Sequence, residues 1–346
     1  MAYTTINKSS LHFNTKLYTG NGSNGHAITG VGFQPDMTWL KNRNTTNDHE
    51  LFDAVRGATK TIYPNRDDTE YTNATGSLTS FNSDGFTVGN GDGANKSSSG
   101  IASWNWKAGT TSGITQGGAS ITPSSYSINA TSGFSIIKWT GTNANATIPH
   151  GLGVAPKMII IKRLDSTSDW VVYNDYIGNT KRLVLNTNAV QSSASSGWFN
   201  NTSPTANVFS VGTDGGSNGS TDNYIAYCFA EKIGYSKIGY YIGTSSADGV
   251  FIYTGFKPTF FMARCIDNAE DWYIFDSKRE GYNTENRDLY ADLNAVEGTT
   301  DWLDIVSNGV KFRYNSIGLN ASSNNYIFMA FGQSLVGSNN VPCTAR

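Results

Sequence analysis

Three stretches of the chain repeat one pattern. "FQPDMTWLKNR" (residues 33–43), "VAPKMIIIKR" (154–163) and "FKPTFFMAR" (256–264) each bring a proline to the mouth of an apolar run that ends in positive charge. Anchored on Pro35, Pro156 and Pro258, the copies stay in step without a gap over a long span. Six residues beyond each proline stand Lys41, Lys162 and Arg264, and thirteen beyond stand Asp48, Asp169 and Asp271. Seventeen beyond are Phe52, Tyr173 and Phe275. Fifteen before are Gly20, Gly141 and Gly243, with Tyr18, Trp139 and Tyr241 two places earlier. Coincidence at so many fixed offsets is implausible, so the chain is a three-fold internal repeat. Units of about a hundred residues can close a core of their own, unlike solenoid units that need neighbours.

Beyond that span each copy carries a turn-led strand ("DGFTVG", "NVFSVG", "NGVKFR") and a closing strand ("ASWNWK", "IAYCFA", "IFMAFG"). In the closing strands Trp104 and Trp106, Tyr227 and Phe229, and Met329 and Phe331 occupy alternate positions. Alternation of bulky groups with period two marks a strand with one face buried. Each repeat reads as about seven short strands divided by Gly, Asn, Asp and Ser turns. Residues 286–298, "NRDLYADLNAVEG", are the best candidate for a helical turn. The predicted fold is all-β, three tandem antiparallel β-sandwich domains of jelly-roll-like form. The expected order is an N-terminal arm (1–10), repeat one (11–109), a Gly/Ser/Thr-rich linker (110–130), repeat two (131–232), repeat three (233–334) and a C-terminal tail (335–346). Each repeat is expected to hold a separate core, with the alternating bulky pairs inside it.

Proline lacks a backbone N–H, which suits the first residue of a strand or an edge. The base six residues on and the acid thirteen on then bracket a short loop. Antiparallel pairing would set Lys41 beside Asp48, Lys162 beside Asp169 and Arg264 beside Asp271, as hairpin-mouth ion pairs worth under about 1 kcal/mol. The segment 108–130 is nearly uncharged and reads as an extended joint, whereas "EKIGYSK" (231–237) is short and apolar enough to hold the last two repeats rigidly.

Charged residues are only 15% of the chain and the net charge is −2, so nothing draws it to polyanions; nucleic acid and anionic membranes are excluded as expected partners. "MAYTTINKSS" has no basic region followed by an apolar run, and no stretch approaches a membrane span of about 18 apolar residues. Cys228, Cys265 and Cys343 lack paired spacing and read as reduced thiols.

No catalytic constellation emerges, and no enzyme activity, cofactor or metal is expected. The four histidines, His12, His26, His49 and His150, fit no zinc motif, and no GxSxG elbow is present. Asp301 and Asp304 are the best acid cluster, but strand-end exposure explains them more simply than paired carboxylates in a cleft. The turns 89–100 and 212–223 offer oxygen ligands without the spacing of a calcium loop. Trp198 and Trp302 are the candidates for stacking on a sugar, weighed against ordinary core packing.

With these residues in view, the whole chain resembles a repeat family of virion structural proteins of tailed bacteriophages, especially marine ones. The likeness rests on the proline-led strand ending in "KNR" or "KR", on "ELFDAVRGATK" (50–60), "SFNSDGFTVG" (80–89), "ASWNWKAG" (102–109), "YIFMAFG" (326–332) and "NNVPCTAR" (339–346). Repeat three departs most, lacking "GATK". The resemblance implies a virion component of the tail or fibre apparatus, assembled in the host cytoplasm and exposed on the particle. Its expected partners are other virion proteins, further copies of itself and a host-surface glycan or protein receptor; a capsid decoration protein is the alternative. The family offers no catalytic residues to carry over.

Overall fold

The computed structural model describes residues 4–334. The chain is all-β, built from antiparallel sheets, and each repeat folds as two layers. In repeat one the main sheet runs β1 (Phe13–Thr19), β9 (Gly100–Trp106), β3 (Met37–Asn42), β4 (Glu50–Asp53), and the outer sheet runs β2 (His26–Thr29), β8 (Gly85–Val88), β7 (Leu78–Asn82). The short β5 (Lys60–Thr61) and β6 (Tyr71–Thr72) pair beside them. In repeat two the main sheet is β10 (Ser125–Asn129), β11 (Phe134–Thr140), β18 (Asn223–Phe229), β13 (Met158–Arg163), β14 (Val171–Asn174), β15 (Lys181–Val184), β16 (Ser192–Ser193), under β12 (Ala146–Pro149) and β17 (Val208–Val211). In repeat three it is β19 (Ser236–Ile242), β26 (Asn325–Ser334), β21 (Phe256–Cys265), β22 (Tyr273–Asp276), β23 (Leu289–Tyr290), under β20 (Phe251–Tyr253), β25 (Gly309–Phe312) and β24 (Leu303–Val306). A common four-strand order (β1-β9-β3-β4, β11-β18-β13-β14 and β19-β26-β21-β22) is the sequence repeat made structural.

Pro35 and Pro156 stand two residues before β3 and β13, where a missing N–H costs no ladder bond. Pro258 instead lies inside β21, at a bulge where the register shifts before Phe260. Residues 286–298 contain no helix; Leu289 and Tyr290 pair with β22.

Separate cores are only part of what forms. Residues between the two layers of a repeat do cluster by repeat: Leu40, Phe52 and Phe86 in the first, Ile159, Tyr173 and Phe209 in the second, Phe261, Phe275 and Phe312 in the third. The opposite faces of all three main sheets, however, meet in one common core. Trp104, Trp106, Tyr227, Phe229, Met329 and Phe331, expected as three private pairs, all lie in it. Near the common axis Trp106 touches Phe229, Phe260 and Phe331 at centroid distances of 6.3, 5.7 and 5.8 Å. The cause is legible in β13: Met158 and Ile160 face one way and Ile159 and Ile161 the other, and all four are buried. A sheet apolar on both faces must cover both, at roughly 1.5–3 kcal/mol per large side chain. Three such sheets cover one another.

Two further expectations change. Residues 110–130 are not a free linker: Ile121 and Ile128 are buried, Ile114 packs beside them, and β10 pairs with β11. An isoleucine every seven residues in an otherwise polar stretch gives the segment a weak but continuous apolar edge. The described part of the N-terminal arm is docked on the chain itself: Ile6 is buried in the common core, and Ser9 donates from N and Oγ to Gln333 Oε1 at 3.1 and 2.9 Å. The tail 335–346, with Cys343, lies outside the described residues. Cys228 and Cys265 are buried free thiols.

Candidate functional site: the seams between repeats

The repeat positions converge on the joints between neighbours. Eight residues beyond each anchoring proline, the carbonyls of Arg43, Leu164 and Ile266 accept from the backbone N–H of Glu297 (2.9 Å), Glu70 (2.9 Å) and Gln191 (3.4 Å). Each donor belongs to the preceding repeat, and for repeat one the preceding repeat is the third. The arrangement is therefore a closed ring.

Lys41, Lys162 and Arg264 sit in these seams, fully buried. They make no ion pair with Asp48, Asp169 or Asp271 among the described contacts, contrary to the hairpin-mouth reading. Lys41 Nζ donates to the carbonyls of Asn42, Thr45 and Asn47 in its own repeat and of Asn294 in repeat three. Lys162 Nζ reaches Asp67 of repeat one at 3.3 Å, and Arg264 reaches Val184 (2.8 Å), Thr187 (3.1 Å) and Ala189 of repeat two. A buried ammonium can fold without a counter-ion when carbonyl dipoles converge on it, and burial then holds both lysines down to about 8 and Arg264 to about 10.

The aspartates do other work. Asp48 accepts from Asn65 Nδ2 at 2.7 Å and Asp169 from Asn186 Nδ2 at 2.9 Å; the same asparagines accept from the N–H of His49 and Trp170. In repeat three Asp292 accepts from the N–H of Trp272 in the equivalent place. There a carboxyl, not an amide, faces Asp271, and burial pushes Asp292 up to about 7. The indoles of Trp170 and Trp272 donate across the seams to Tyr63 and Val184 carbonyls, at 3.0 and 2.8 Å. His49, their counterpart, is buried and kept neutral, accepting from Trp39 Nε1 at 2.8 Å.

A second buried set had no sequence forecast. Asp53 pairs with Arg56 (2.5 Å) and Asp276 with Arg279 (2.6 Å), all four side chains fully covered. Each aspartate also accepts from the next repeat's closing strand: Asp53 from Tyr227 Oη (2.6 Å), Asp276 from Trp104 Nε1 (3.0 Å). By symmetry the third place would face Met329, which has no proton to donate. There the pair is Asn174 and Ile177, and Ile177 packs on the common core. Charge is present where a donor meets it and absent where none does.

Sequence reading also missed Asn95, Asn218 and Asn320. Each Oδ1 accepts from the first loop of its repeat, at Asn21 (2.9 Å), Thr142 (3.1 Å) and Thr244 (3.0 Å). The signal was available: each asparagine stands five residues before its closing strand. They tie down the loops that begin at Gly20, Gly141 and Gly243, where a Cβ would lie 2.1–2.2 Å from a backbone oxygen. Glycine is required there for close approach.

The proposed sugar platforms are not free. Trp302 is 5% exposed and wedged between Tyr273 and Tyr314, and the Arg182 guanidinium covers the Trp198 ring at 3.9 Å. Asp304 is paired with Arg313 at 2.6 Å, and Asp301 is exposed. His150 is buried between Thr205 O and Leu152 N, and burial, only partly offset by the Thr205 carbonyl, takes it down to about 4. Among the described residues no three His, Cys, Asp or Glu side chains group as a metal site, and no helix is long and apolar enough to cross a membrane. The arrangement of ionisable groups suits holding repeats together: of the repeat positions, Lys41, Lys162 and Arg264 bond across the seams, while the aspartates and glycines order loops within each repeat. No curated protein and no solved structure matches the chain. A family described as "Domain of unknown function (DUF7483)" matches residues 8–334, spanning all three repeats, and the chain belongs to that family.

Proposed function

We propose that the protein is a virion structural component of a tailed bacteriophage, serving the tail or fibre apparatus by surface contact. The observation that carries the reading is how the ionisable side chains are used: the buried ones lock the three repeats into one ring. A polar, weakly charged exterior around a rigid ring suits a connector or adhesin exposed on a particle. We read each two-layered repeat as a jelly-roll-like β-sandwich, with the third face of the usual domain surface given over to its neighbours. Partners are other virion proteins and, at the exposed end, a host-surface receptor. The common core argues against an extended joint between repeats one and two, because repeat one cannot be released without opening the core it shares. A glycan-degrading or Trp-based glycan-binding role is disfavoured by the covered Trp198 and Trp302 and by the engagement of Asp304 with Arg313. The test is immunogold labelling of intact particles together with mass spectrometry of purified virions. Label at the tail supports the proposal, label at the head moves the protein to capsid decoration, and absence from purified virions sinks both.

A further inference from the structure

The three repeats treat one equivalent edge in three ways. Each two-layered repeat ends laterally in a slot between its own first main-sheet strand (β1, β11 or β19) and the first strand of its outer sheet. In repeat two this slot, between β11 and β12, is closed by the chain itself. Ser120 and Ile121 donate to Thr147 O on β12, both at 3.0 Å, Ser124 donates to Lys138 O on β11 at 2.8 Å, and Ile121 and Ile128 are buried beneath. In repeat one the slot is narrow in apolar content, with Ala27 and Thr29 on β2, and Lys16 stands on β1; a lysine on an edge deters pairing.

Repeat three has no closing segment, and its edge lysine, Lys237, stands two residues from the matching place and donates to Tyr253 O at 2.8 Å. The residue matching Lys16 is Gly239, and those matching Ala27 and Thr29 are Phe251 and Tyr253. Tyr240, Phe251 and Tyr253 are 54%, 44% and 52% exposed around a slot of about 370 Å³ floored by Gly239, Tyr241, Ile252 and Phe328. The ladder bonds Gly243 N to Asn324 O and Gly332 N to Tyr235 O flank β19 and fix its alternation. Odd-numbered residues turn their backbone groups to β26, so Ile238, Tyr240 and Ile242 turn theirs outward. Ile238 N–H is taken by Glu231 Oε1 at 2.8 Å; the outward groups of Tyr240, the counterpart of Lys138, form the open rung.

We infer that the β19–β20 edge of repeat three is a strand-accepting site for an extended, uncharged segment of a different protein, one carrying branched aliphatic side chains as residues 118–129 do for repeat two. Main-chain bonds to an edge and pockets for alternate side chains are the physics of strand addition. A sugar fits less well, because the slot offers no carboxylate or amide side chain and its one cation, Lys237, is engaged by Tyr253 O at 2.8 Å. A second copy fits less well too. Its residues 118–129 are held in its own repeat two, and its β19 would present Gly239 and Lys237 to a slot that needs filling.

The probe is a labelled synthetic peptide of residues 118–129, titrated into the full chain by fluorescence anisotropy. Saturable one-to-one binding is expected, at least tenfold weaker with Tyr240→Pro, which removes the outward N–H together with the ring stacked on Tyr176 at 3.8 Å, and with the surface pair Phe251→Ser/Tyr253→Ser. Tyr240→Ala, which removes the ring and keeps the N–H, should bind more tightly than Tyr240→Pro. Should Tyr240→Pro fail to fold, as circular dichroism would show, the surface pair carries the test alone. Absence of saturable binding up to millimolar peptide overturns the inference, as does binding that the folded variants leave unchanged. Self-association of the full chain in sedimentation, dissolved by the same substitutions, would make the occupant a second copy and overturn it equally.

Discussion

Replacing Asp292 by Asn should stabilise the protein, and should do so only above mildly acidic pH. In repeats one and two an asparagine donates to the seam aspartate, Asn65 to Asp48 and Asn186 to Asp169. Repeat three puts two acceptors face to face, Asp292 and Asp271, and no donor reaches Asp292 Oδ2. A proton must sit between them, and burial favours the neutral form, raising Asp292 from 3.8 to about 7. The folded value is therefore above the unfolded one, so the stabilising contribution is complete below about pH 4 and is lost as pH rises through 7. At 1.36 kcal/mol per tenfold, full ionisation costs at most roughly 4 kcal/mol; sharing with Asp271 and attraction to Arg264 bring the expected figure to about 2–4 kcal/mol. Asp292→Asn supplies a permanent donor. Urea unfolding followed by tryptophan fluorescence should show the variant close to wild type at pH 4 and more stable by that margin at pH 8. A variant less stable at pH 8, or an unchanged dependence between pH 4 and 7, would refute the reasoning.

Other substitutions probe the remaining locks. Lys162→Ala should cost about 3 kcal/mol in urea unfolding by stranding seam carbonyls, including that of Asp67, and Lys162→Arg should recover part of it. Asp53→Ala should cost about 3–5 kcal/mol, since it removes the closer carboxylate of buried Arg56 and leaves only Glu70 at 3.4 Å, whereas Asn174→Ala at the matching place should cost under about 2 kcal/mol. Gly141→Ala places a methyl against Gly219 O and should lower stability by about 1–3 kcal/mol in thermal melts. Trp302→Ala should cost about 3–5 kcal/mol as a core deletion, visible by calorimetry without any sugar present.

The repeat, its strands and the residues that matter were legible because they are written at fixed spacing, and spacing survives without coordinates. What those residues touch was not legible. The offset of six that sets Lys41, Lys162 and Arg264 is the same whether they meet the acid seven residues later or a carbonyl of the neighbouring repeat. Burial decides, and burial depends on a neighbouring repeat whose contacting residues lie 75 to 253 positions away. The doubly apolar run at Met158–Arg163 was a clue to two covered faces, yet it does not say that the second cover is another repeat. Asn174 and Ile177 break the pattern of Asp53 and Arg56 for a reason, the thioether of Met329, that only the ring closure supplies. The aromatic slot of repeat three went unseen because it is defined by what is missing beside it.

Closure of the ring within a single polypeptide has a consequence for assembly. Three separate chains meeting on a three-fold axis would form their common core by a concentration-dependent association, and every joint would have to be identical. Covalent continuity makes the second and third encounters intramolecular, at effective concentrations in the millimolar range for short tethers, so dilution does not dissolve the ring. It also frees each joint to diverge. One can keep a carboxyl pair, one can drop its charge for isoleucine, and one edge can stay open while its sisters are guarded or filled. A perfectly symmetric trimer would present three such openings; this chain presents one, and so has a direction.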